Sequence, residues 1–184
     1  MSPSSSIPGF SSPAAGPDQP LAMLAACHER VERQCRTLER LLPHLAQHGS
    51  DRPAQEAAQA VLRYFDEAAP NHHADEEHDL FGLLAQACKA NPVRARELSE
   101  LTQTLIAQHR QLERQWQEVR PMLHAVSLGQ TNTMDADLVH TLIESHRAHV
   151  TLEDRSVLPM AAQLLSPGDI QQLGKAMAHR RQRD

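Results

Sequence analysis

One stretch of the chain crowds metal-liking side chains together. His72-His73-Ala74-Asp75-Glu76-Glu77-His78-Asp79 holds three histidines and four acids in eight positions. A solvated face needs no such density, and a core helix should not carry it, because burying a charge without a partner costs on the order of several kcal/mol. His72 and Glu76 are four apart, so on a helix they share one face. An imidazole nitrogen and a carboxylate oxygen offered from one face form half of a metal site. A second half appears as His149-Val150-Thr151-Leu152-Glu153, with the same His-x3-Glu spacing. An acid follows each carboxylate, Glu77 in the first copy and Asp154 in the second.

Four amphipathic segments flank and carry these residues. The first has an apolar stripe at 3–4 spacing through Leu21, Leu24, His28, Val31, Cys35, Leu38, Leu42 and Leu45, and ends at His48-Gly49. The second runs Val61, Phe65, Ala68, His72, Glu76, Leu80, Leu83 and Ala87, with a kink expected at Pro70. The rival pair His73 and Glu77 falls on a less apolar stripe, so His72 and Glu76 are read as the inward pair. The third stripe passes through Leu98, Leu105, His109, Leu112, Trp116 and Leu123, with a bend expected at Pro121. The fourth runs Leu138, Leu142, His146, His149, Glu153, Val157, Met160 and Leu164. After the turn at Ser166-Pro167-Gly168, a short fifth helix ends in His179-Arg180-Arg181, read as a solvated basic terminus that suits a helix C-terminus.

The expected fold class is therefore all-α: an antiparallel up-down-up-down four-helix bundle with a short C-terminal helix. Residues 1–17, rich in Ser, Pro and Gly, are expected to be a disordered tail, and residues 18–184 a single domain. Composition agrees, with 40% hydrophobic residues, only 3% aromatic, and 12 histidines as the outlier. A net charge of −5 argues against a nucleic-acid surface. No apolar run matches a membrane span, and three cysteines without a Cys-x2-Cys pair suit a reducing compartment, so a cytoplasmic location is expected.

An antiparallel bundle with turns near residues 50, 91 and 131 brings His28, His72/Glu76, His109 and His149/Glu153 to one level. The mismatches are a few residues at about 1.5 Å each. Histidines placed for unrelated structural reasons should not converge in this way. The halves also repeat: His28 then His72-x3-Glu76, and His109 then His149-x3-Glu153. Six ligands exceed one tetrahedral zinc and suit two metals bridged by two carboxylates. The imidazole and carboxylate donor set favours iron, or manganese by supply.

Over about residues 20–165 this pattern resembles the hemerythrin family in its bacterial HHE cation-binding form. The resemblance implies metal ligation by His28, His72, Glu76, His109, His149 and Glu153. It also implies two iron ions bridged by the carboxylates and an oxo or hydroxo group. The function implied is binding or sensing of a small gaseous ligand, oxygen or nitric oxide, rather than catalysis. A redox enzyme acting on peroxide or nitric oxide, and iron storage, delivery or iron-centre repair, stay open as alternatives. The chain departs from the family at Gly82, where the family often has Pro, and in lacking cysteine within residues 1–20, which counts against repair. Oxygen carriers use a fifth histidine; His146 is the first candidate for it and His73 the second.

Overall fold

The computed structural model describes residues 16 and 18–182, so the expected tail, Gly16 apart, lies outside the described residues. All regular structure among them is helical, and the helices form a bundle. Helix α1 is Pro20–His48, α2 covers 52–88, α3 is Pro92–Ser127, α4 covers 136–164 and α5 is Pro167–Arg180. α1 packs on α2 and α4, α2 on α3, and α3 on α4, which closes a ring. The loops after α1 and α3 meet at one end, where Asn132 Oδ1 accepts from the Ser50 N–H at 2.8 Å.

Local chemistry sets the helix ends. α1 stops at Gly49, whose φ of +67° is a left-handed conformation that a side chain disfavours. Asp51, Asn91, Asp135 and Ser166 each accept a backbone N–H at the start of the following helix. α3 runs through Pro121 without ending.

α2 and α4 are not uniform α-helices. α2 is interrupted by π turns at Tyr64–Ala68 and Glu76–Leu80, and α4 by one at Glu153–Val157. In each, the N–H five residues on closes the turn: Ala69 to Tyr64, Phe81 to Glu76 and Leu158 to Glu153. Pro70 and Pro159 both stand second after a π turn, so the turn absorbs the backbone bond that proline cannot make. Gly82 holds that same place after the middle turn.

The extra residue in each π turn shifts the buried stripe by one. The sequence periodicity points Ala68, Leu83 and Ala87 inward. The buried residues are instead Ala69, Leu84 and Cys88, and in α4 Ala161 replaces Met160 and Leu164.

Two apolar cores result. One lies toward the α1–α2 and α3–α4 loops, around Leu38, Val61, Phe65, Leu123 and Leu142. The other lies toward α5, around Leu24, Leu80, Leu84, Leu105, Leu173 and Met177. The histidine and carboxylate layer separates them.

The C-terminal end of α5 is not simply solvated, as the sequence suggested. Arg180 and Arg181 both bond the fully buried carboxylate of Asp75; Arg181 Nη2 donates to Oδ2 at 2.6 Å. Arg180 also reaches Asp79 at 2.7 Å. A buried carboxylate without such partners would be costly.

Candidate metal centre

The six residues His28, His72, Glu76, His109, His149 and Glu153 are all buried, and Glu76 and Glu153 are fully enclosed. Their donor atoms fall into two groups, each drawn within 4.8 Å: His28, His72, Glu76 and Glu153 in one, and His109, His149, Glu76 and Glu153 in the other. The two carboxylates belong to both. Each carboxylate is the first residue of a π turn, one turn after its helix's histidine, a local irregularity frequent at functional sites.

Hydrogen bonds at the outer ring nitrogens fix which nitrogen faces inward. His28 Nδ1–H donates to Asp154 Oδ1 at 2.7 Å, His109 Nδ1–H to Glu77 Oε1 at 2.7 Å, and His149 Nδ1–H to Gln108 Oε1 at 2.9 Å. Carboxylate and amide oxygens only accept, so in a neutral ring the Nε2 lone pair points inward. This is how a metal-binding imidazole is ordinarily held. The repeat extends to these supports: the acid after Glu153 serves His28, and the acid after Glu76 serves His109. The position before His109 is Gln108, but the one before His28 is Cys27. Correspondingly His72 Nδ1 has no hydrogen-bond partner, whereas His149 Nδ1 has Gln108.

The inward atoms do not satisfy one another. His109 Nε2 and His149 Nε2 face each other at 3.2 Å. His28 Nε2 lies 3.1 Å from Glu153 Oε2, and His149 Nε2 3.2 Å from Glu153 Oε1. All four oxygens of Glu76 and Glu153, with both ring nitrogens of His72 and Nε2 of His28, are buried without a hydrogen bond. Lone pair facing lone pair in a dry interior is costly unless a cation lies between them. The residues therefore fit a metal pair.

With no cation, protons take its place. Burial and the charge of Glu153 push Glu76 up to about 8. Burial opposes protonation of His28, but its contacts with Glu153 and Asp154 raise it to about 9. His109, also opposed by burial, is raised by Glu153, Glu76 and Glu77 to about 10. His72 is held down to about 3 by burial, so it is neutral and able to ligate.

The two candidates for a fifth histidine part company. The His73 ring stacks on His109 at 4.0 Å and 12°, and its donor nitrogen lies within 4.8 Å of those of His109 and His149. His146 joins no such group; its ring packs 4.9 Å from Phe65. His73, the second candidate from the sequence, is thus the one that stands with His109 and His149. Stripe logic placed His146 in line with His149, and gave no weight to an adjacent pair, His72 and His73, meeting the centre from one helix. Of the supporting residues, Glu77 stood out in the sequence only as the acid after Glu76 and as part of the rival pair with His73. Asp154 and Gln108 were not singled out as supports, although the acid repeated after each glutamate was a signal for Asp154.

Two buried imidazole sets sharing two carboxylates inside a helical bundle define a metal-binding helical protein. The hemerythrin HHE cation binding domain matches residues 19–161, and the chain belongs to that family. An uncharacterised protein of Haemophilus influenzae is 33% identical over 165 residues, which span 90% of this chain and 91% of that one. Among the described residues no helix is long and apolar enough to cross a membrane.

Proposed function

We propose that the chain is an up-down-up-down antiparallel bundle that holds two iron ions and binds or senses oxygen, or nitric oxide, in a reducing cytoplasm. His28 and His72 would hold one ion and His109, His149 and His73 the other, with Glu76 and Glu153 shared between the two sets. The observation that carries this reading is the set of four buried, unpartnered carboxylate oxygens flanked by inward-facing imidazole nitrogens. When bound, such a pair supplies electrons and an open coordination position to a small ligand. The surrounding chain keeps the imidazoles in the ligating tautomer through Asp154, Glu77 and Gln108. The apolar cores above and below the layer exclude bulk water. One cleft reaches the His109 side and another the His28 side, so a small ligand has a route to either half of the centre.

The first test is the metal content and visible spectrum of aerobically purified protein, followed by reduction and readmission of air. Two irons per chain with oxo-bridge absorption that bleaches and recovers are expected. Glu76→Ala and Glu153→Ala should each cut the iron sharply. One zinc, or two irons retained in those variants, would overturn the assignment. A second reading, reduction of a peroxide, is favoured by the size of the cleft beside the centre.

A further inference from the structure

The two halves of the centre are approached by different cavities. One of about 750 Å³ between α1 and α4 touches His28 and is lined by charged residues such as Glu29, Arg33 and Arg36. One of about 290 Å³ opens between α2 and α3 and touches His73 and His109. Its floor is buried and largely apolar: Phe65, Ala69, Leu112 and Trp116, with His146 among them. Its rim is polar. There Arg110 is already matched by Glu77 at 2.7 Å, and Asp66 accepts from Trp116 Nε1 at 2.9 Å and pairs with Arg120 at 2.9 Å.

Three features restrict the ligand. A diatomic gas fills about the 30 Å³ share of one water molecule, roughly a tenth of this space. The volume instead falls at the low end of small organic ligand pockets, about 300–1,000 Å³. The rim cation is paired, so the cavity does not call for an anion. His146 stands among the apolar residues of the floor, apart from His73 and His109 at the centre, and burial, then His149 and His109, hold it down to about 3, as a neutral imidazole. It can donate to or accept from one oxygen of a ligand.

We infer that this chamber takes a neutral organic hydroperoxide with a small aromatic or branched body. The body lies against Phe65, Leu112 and Trp116, and the oxygen end lies toward His73 and His146. The inference rests on the metal pair proposed above. In the reduction it implies, the O–O bond breaks, two protons are taken up, and alcohol and water leave. One electron comes from each of two reduced ions, and a reduced one-electron carrier protein must restore them. His146 is a positioning residue in this scheme, not a ligand.

The test uses cumyl alcohol, the unreactive alcohol twin of cumene hydroperoxide. It is titrated into the full chain as purified, and again after exchange into zinc, with iron assayed on the same sample. Trp116 is the only tryptophan in the chain and lies in the chamber wall, so its fluorescence reports occupancy. A saturable change with half-saturation near or below about 1 mM is expected. Ala74→Phe at the wall, and Ala69→Val as a milder filling, should weaken it tenfold or more. His146→Leu should weaken the alcohol but not cumene itself. No saturation up to the solubility limit, or saturation unaffected by both filling variants, would overturn the chamber. Saturable binding by a chain without a metal pair would sink the metal reading alone. Gas uptake by a two-iron chain that ignores the alcohol would sink the chamber alone.

Discussion

Asp154 and Glu77 perform one task from opposite halves of the chain, each holding the outer nitrogen of a histidine whose inner nitrogen faces the centre. Asp154 is 47% exposed, so its loss should leave the fold intact. Asp154→Ala is expected to lower metal affinity by about 10–100-fold, read by competition with a chelator, with little change in melting temperature of the metal-free chain. The inner groups make a second prediction. Glu76, His28 and His109 all bind their protons more tightly folded than unfolded, with folded values of about 8, 9 and 10. A group raised on folding stabilises fully below its unfolded value, and that contribution is lost as pH rises through the folded one. The metal-free protein should therefore lose stability from about pH 6.5 to 10, and the metal-loaded protein should not, because cations replace those protons. Melting curves of chelated and loaded samples across that range decide it. The six residues that meet at the centre could be picked out by type and spacing because both halves repeat them. The place of His73 could not, since nothing in a linear pattern says that its ring will stack on His109.

At the level of the element, the π turns explain where periodicity misleads. An α-helical count from Glu76 predicts Leu83 and Ala87 inward, but the turn Glu76–Leu80 uses one residue more than an α turn and delivers Leu84 and Cys88. The same slip after Glu153 delivers Ala161. Helix existence, the stop at Gly49 and the common level of the histidines and glutamates were legible in the sequence. The slips were not, because a five-residue closure has no composition of its own; the prolines at 70 and 159 were the only hint. Gly82 offers a direct check. It is exposed and helical, and a Cβ there would meet nothing within 4 Å. Gly82→Ala should stabilise the protein by roughly 0.5–1 kcal/mol through the unfolded chain's lost freedom. Gly49→Ala should do the reverse by about 1 kcal/mol, since φ is +67° and the new Cβ would lie 2.9 Å from Asn132 Oδ1. Urea titrations of both variants give sign and size together.

For the whole molecule, the polar layer divides the bundle into two cores, and α5 covers the one beyond Glu76. The last turn of α5 does more than end the helix, because Arg180 and Arg181 match the buried charge of Asp75, which lies between His72 and Glu76 in sequence. Removing both arginines leaves a buried carboxylate unmatched, at a cost of about 3 kcal/mol. The double variant Arg180→Ala/Arg181→Ala should show that loss in denaturant melts, and adding Asp75→Asn should restore part of it. Sequence alone read this basic end as surface, because a pairing across about 105 residues leaves no local trace. The same pairing bears on how the protein is made. A chain leaves the ribosome N-terminus first, and the partners of Asp75 follow it by about 105 residues. Until Arg180 and Arg181 have emerged, the stretch that carries His72 and Glu76 holds an unmatched charge. A nascent chain arrested short of Arg180 should therefore resist proteolysis less well than one that includes both arginines.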